Sequence, residues 1–181
     1  MQKRLLLISF TLALLCSPKA TSQTKEAGPI IKEYGKVWKI KNPDYPTDTS
    51  KEYKVVFDIM NSPESHAAIN TSIETAARFL NMHAQAGVPK EQLKVVLVVH
   101  NKASKDIITN DAYKKRYGTA NPNEEMITSL IDEGVEIVFC GQSSLSRNFP
   151  IEDTLDGVQL ALSAMTALIQ LQNEGYQLIK F

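Results

Sequence analysis

Cys140 closes a short apolar run, Glu136-Ile137-Val138-Phe139-Cys140, and is followed at once by Gly141, Gln142, Ser143 and Ser144. Sulfur is nucleophilic as the thiolate, and a thiolate forms readily where an imidazole or oriented N–H groups face it. The turn after Cys140 offers free backbone N–H groups, and Gly141 would let a substrate sulfur approach the main chain closely. His100 closes a second apolar run, Lys94 to His100, with Asn101 next; Asn61 follows a third, Tyr53 to Met60. In an open parallel sheet, ligands gather at these carboxyl ends. Adjacent strands ~4.8 Å apart would bring His100 toward Cys140. The candidate site is therefore Cys140 as nucleophile and His100 as the group that tunes it, with Asn61, Asn101, Gly141, Gln142 and Ser143 lining the pocket.

Blander readings of the same residues stand beside this one. A cysteine ending a buried strand also serves as a small core hydrophobe, and a strand-end histidine as a hydrogen-bonded structural residue. Gln142, Ser143 and Ser144 could simply cap the next segment. An intermolecular disulfide through Cys140 is a third reading. No CxxC or Cys/His cluster occurs, so no metal site is expected. Asp106, Asp111, Asp153 and Asp156 form no recognisable carboxylate pair. The GxSxG, Walker A and GxGxxG motifs are all missing, which removes the main sequence support for hydrolase, NTPase and dinucleotide readings. No cofactor is expected.

The N-terminus bears on what the thiol means. Lys3 and Arg4, an apolar run from Leu5 to Leu15, and the small residues Ala20-Thr21-Ser22 are the parts of a cleavable signal peptide, residues 1–22. The run falls short of the ~20 apolar residues that span a bilayer, so export to the periplasm without stable membrane insertion is expected. Leu14 and Leu15 precede Cys16 where a lipidation site wants small residues. The whole chain balances 20 basic against 20 acidic residues. The leader removes Lys3, Arg4 and Lys19 and no acid, which leaves a slight negative charge and no footprint for nucleic acid. Cys140 then stands alone, in a compartment where cysteines are usually paired.

Residues 23–50 read as an extended arm, anchored by Tyr34, Val37, Trp38 and Ile40. Residues 51–181 read as one domain of alternating strands and helices. Ile69, Ile73, Ala76, Ala77, Leu80 and Ala84 fall on one helical face, which Gly87 and Pro89 end. The continuous apolar run 94–100 suits a strand buried on both faces of a parallel sheet. A short helix is expected over 111–117. Asn121, Pro122 and Glu124 suggest the N-cap, first position and capping-box acid of another helix. Residues 158–173 fit either one helix or a strand followed by a helix capped by Ser163. The alternation argues an α/β domain with a mainly parallel sheet.

Taken together, "LKVVLVVHNKAS", "NPNEEMITSLIDEGVEIVFCGQSS" and "ALSAMTALIQLQNEGYQLIKF" resemble the DsrE/DsrF-like family from about Tyr53 to Phe181. The resemblance implies a compact α/β sandwich, flavodoxin-like in broad layout with three layers, assembled as a homo-oligomer, a trimer or hexamer. It favours the strand-then-helix reading of 158–173. It also implies sulfur-relay chemistry, with sulfane sulfur carried as a persulfide on Cys140 and exchanged with thiol or persulfide donors and acceptors. Asn101 stands where many relatives have glycine after the histidine. A binding oligomer with a structural cysteine is the alternative.

Overall fold

A computed structural model describes residues 24–180. The expected leader, Cys16 included, lies outside the described residues. Five strands form one sheet: β1 (Tyr53–Ile59), β2 (Leu93–Val99), β3 (Glu136–Cys140), β4 (Val158–Ala161) and β5 (Gln177–Ile179). Their order is β4-β3-β2-β1-β5, and every pairing is parallel. Central β1 and β2 are valine-rich because both faces are covered, as parallel strands require.

Handedness decides where the helices go. From β1 to β4 the chain steps in one direction, so right-handed crossovers keep its connections on one face. That face receives α1 (Thr71–Gln85), α2 (Asn110–Tyr117) and α3 (Glu124–Asp132). Ile73, Ala76, Ala77, Leu80, Tyr113, Met126, Ile127 and Leu130 pack there on Val55, Phe57, Val95, Leu97, Ile137 and Phe139. The return from β4 to β5 runs the opposite way, and the same hand sends α5 (Ala164–Asn173) to the other face. There Ala164 and Ala167 sit against Val56, Val96, Val98 and Cys140. The three-layer expectation holds, while the strand order differs from the 2-1-3-4-5 of flavodoxin.

Most local expectations carry through. Residues 158–173 are strand then helix, with Ser163 Oγ accepting the N–H of Thr166 as N-cap. Helix α1 begins later than its apolar pattern suggests: Asn70 caps it, and Ile69 lies outside the helix and exposed. The capping box at 121–124 does not form. Helix α3 starts at Glu124 after Asn123, the Glu124 carboxylate turns to the N–H of Asn110, and Asn121 is buried in hydrogen bonds to the carbonyls of Asp106 and Ile108.

The arm is held more tightly than its composition suggests, and only partly by the expected residues: Val37 is buried and Tyr34 packs partly buried against the core. Ile31 is buried as well, while Trp38 and Ile40 are exposed. Buried Asn81 of α1 accepts the N–H of Ile31 and donates to the carbonyls of Ile31, Tyr34 and Gly35. Gly35 lies so close to α1 that a Cβ there would come within 2.4 Å of the Ala77 carbonyl carbon. Only glycine permits that approach, and its φ of +69° is in the left-handed region as well.

Candidate active site

The sulfur of Cys140 stands where two chain turns meet. Cys140 ends β3 and immediately precedes α4 (Gly141–Arg147), while its register partner Ala161 ends β4 just before the turn into α5. The backbone N–H groups of Ser143, Ala164 and Gln142 and the hydroxyl of Ser143 are all directed at the thiol. None closes into a side-chain cap bond of ordinary geometry, so they act as oriented dipoles around a large, soft atom. Burial pushes the thiol pKa up, but these donors outweigh it and hold the value below the ordinary thiol range. The residue is only 5 % exposed, so the sulfur is electrostatically primed but narrowly accessible.

Gly141 is required for this arrangement, though not for the reason its sequence position suggests. A Cβ at 141 would lie 2.7 Å from the carbonyl oxygen of Ala161 and 3.3 Å from that of Leu162. The space is taken by the end of β4, not left open for a substrate.

Ser143 links the thiol to its surroundings. The N–H of Asn101 donates to Ser143 Oγ at 3.0 Å, which leaves the hydroxyl proton free for the sulfur. Asn101 adopts a left-handed φ of +54°, a conformation asparagine tolerates better than most residues. Its side-chain oxygen accepts from Arg147. Gln142 is exposed and donates to the carbonyl of Leu162 at 3.3 Å. Ser144 is different: its hydroxyl donates to the carbonyl of Phe149 and finishes the α4 turn.

His100 shares a face with Cys140 but bonds elsewhere. Val98 pairs with Val138 and Val99 with Phe139; continuing that register by one residue sets His100 opposite Cys140. Alternation places both on the α5 face, with Val96, Val98 and Val56. The imidazole Nε2 lies 2.6 Å from Asp58 Oδ1, and Lys180 Nζ donates to Asp58 Oδ2 at 2.7 Å. Burial raises the Asp58 pKa, but the bonds from Lys180 and His100 outweigh it and hold the carboxyl below its usual range. The sequence reading missed Asp58. Its signal was a carboxylate on an inward position of YKVVFDIM, two residues from Val56 and level with Val98 of β2.

Asn61 is not joined to the network around the thiol. It lies two residues past β1, which β2 separates from β3, and its carbonyl accepts from Asn70 at 2.8 Å. It borders a second cluster that the sequence reading also missed. Asp106 is completely buried in the 3-10 helix Asn101–Ile107. Its carboxylate accepts from Ser62, Asn70, Lys105 and Asn123. Lys105 lies over the Tyr113 ring. Burial lowers the Lys105 pKa, yet Asp106 more than offsets this and the pKa is raised. Every member is satisfied, so the cluster is a fastening for the loops after β1 and β2. Among the described residues no group of His, Cys, Asp and Glu has the arrangement of a metal site.

Comparisons with known proteins agree with this architecture. A sequence model of the DsrE/DsrF-like family matches residues 54–181. Among solved structures, the protein of unknown function MTH1491 from Methanobacterium thermoautotrophicum superimposes with a TM-score of 0.55 at 18% identity, over 72% of this chain and 100% of that one. The ychN protein from E. coli gives 0.53 at 16% identity, over 71% of this chain and 99% of its own. At such identities the likeness is one of fold. No curated protein matches the chain.

Proposed function

The chain belongs to the DsrE/DsrF-like family, and on that basis we propose that it handles sulfane sulfur, carried as a persulfide on Cys140. The observation that carries this reading is the ring of donors from two converging turns, which lowers the pKa of a thiol buried at the carboxyl end of the sheet. In loading, the Cys140 thiolate attacks the outer sulfur of a donor hydropersulfide, R–S–SH. A new S–S bond forms on Cys140, the donor S–S bond breaks, and R–S⁻ leaves to take up a proton. Unloading is the same exchange in reverse, onto an acceptor thiol, with no net oxidation. The amides stabilise the thiolate each time it is the leaving group. Asn101 and Ser143 position its hydroxyl donor, and His100 stands opposite as the acid–base group.

The setting belongs to the same proposal: an exported, periplasmic protein that meets small persulfides or thiol-bearing partner proteins, and a homo-oligomer. Leu160, Leu162, Met165 and Ile169 are exposed along β4 and α5, and β4 is an edge strand. Exposed apolar area beside an open sheet edge is what a subunit interface covers. The alternative, a binding oligomer with a structural cysteine, draws on the low exposure of Cys140.

Intact-mass analysis of protein purified from its native compartment separates the two. The relay reading expects a fraction one sulfur heavier, about 32 Da, lost on reduction and never seen in Cys140→Ser. A single unmodified mass before and after exposure to a persulfide donor would favour the binding oligomer.

A further inference from the structure

Sulfur exchange moves a proton as well as a sulfur atom, and the fold holds a candidate for managing it. Resting on the relay reading, we propose that Asp58 is a positioning residue for the exchange: its carboxylate fixes the His100 imidazole as the Nε2–H tautomer and leaves Nδ1 as the base.

Three observations converge on this. The Nε2–Oδ1 distance is 2.6 Å, and Asp58 is nearly buried, with 7 % of its side chain exposed against 22 % for His100. Buried carboxylates that accept from a ring nitrogen set the tautomer of that ring. Next, Nδ1 makes no hydrogen bond among the described residues. Finally, the register sets His100 opposite Cys140 on the same face.

The charged surroundings support the assignment. Lys180, after β5, occupies the second oxygen of Asp58, which keeps that carboxylate ionised and aligned on β1. On β3, Cys140 shares the sheet face that carries His100. From α5, the first turn carries no acid. On the loop side Lys102 is exposed, and the α4 cation Arg147 is held by Asn101. Among the described residues, Asp58 is the only carboxylate bonded to His100.

The step balances as follows. An acceptor thiol R′–SH gives its proton to His100 Nδ1, and R′–S⁻ attacks the outer sulfur of the Cys140 persulfide. The R′S–S bond forms, the bond from Sγ to that sulfur breaks, and Cys140 leaves as thiolate with the electron pair. The imidazolium then returns its proton to the product persulfide or to solvent. Asp58 stays ionised throughout and orients the ring.

The test separates thiolate formation from proton transfer. Cys140 is loaded with glutathione hydropersulfide, and discharge to glutathione is followed against pH; alkylation by iodoacetamide is followed in parallel. His100→Ala is expected to slow discharge ~100-fold, the range for loss of one acid–base group. Asp58→Asn should lose roughly ten-fold or more and change the pH profile of discharge, while alkylation keeps its profile. In the His100→Ala background, Asp58→Asn should add nothing. Discharge by Asp58→Asn at the wild-type rate and pH profile overturns the proposal, as does an additive double variant. Nitrogen-15 spectra of the wild-type protein need no variant: the Nε2–H tautomer is expected, and Nδ1–H would overturn the assignment even where Asp58→Asn does not fold. Failure of wild-type Cys140 to load at all would instead count against the relay reading itself.

Discussion

At the scale of single residues, Cys140 differs from a buried core cysteine through what points at it. A core cysteine surrounded by hydrocarbon has its pKa raised; this one has it lowered by the Ser143, Ala164 and Gln142 N–H groups and the Ser143 hydroxyl. Ser143→Ala removes one donor to an anion, worth about 1.5 kcal/mol or more. Native Cys140 should then alkylate roughly ten-fold more slowly at neutral pH, read as a rate with iodoacetamide. Gly141→Ala tests the close approach to β4. Its Cβ meets backbone oxygen at 2.7 Å, so β4 must shift at a cost of about 1–3 kcal/mol, measured as a lower urea midpoint. Cys140 and Gly141 were legible in the sequence because they follow an apolar run. Asp58 was not, since a lone acid inside a strand reads as outward-facing until its register against His100 is known.

Among the elements, strands and crossovers were the most legible, and the 3-10 helix 101–107 the least. Val-rich runs of strand length, separated by capped helices, leave few arrangements open. The segment Asn101-Lys102-Ala103-Ser104-Lys105-Asp106-Ile107 is polar in composition, yet Ala103 to Ile107 are buried. Its polar side chains satisfy one another inside the protein, a pattern that composition cannot distinguish from exposure. The capping box that does not form has the same origin: Asn121 is used by the carbonyls of Asp106 and Ile108 instead of presenting a free helix start. Asp106→Ala should therefore cost about 3–5 kcal/mol by stranding Lys105, seen in chemical denaturation. For Asp58 the sign follows from its depressed pKa. Its contribution to stability is present above the ordinary carboxylate range and fades as pH falls through the folded value. Thermal midpoints should thus decline on acidification, and less steeply in Asp58→Asn.

For the whole molecule, topology explains why the site lies where it does. Among the described residues the chain crosses back over the sheet once, between β4 and β5, and that return lays α5 on the far face with its first N–H near the end of β3. With α5 as the only helix on that face among the described residues, apolar surface is left over near β4. A double variant Leu162→Asp, Met165→Asp should reduce the assembled mass in light scattering without loss of helical signal; a monomeric wild type would remove the interface proposal. Residues 158–171 are mostly apolar in the sequence, but which of them face outward depends on the strand-to-helix change at Ser163.

The most direct measurement is the rate of Cys140 alkylation in the native protein as a function of pH. The account predicts a half-maximal rate below the ~8.5 of a free cysteine, with the same residue modified throughout and folding intact. A thiol that stays inert until denaturant opens the structure, or that titrates above that value, would contradict it.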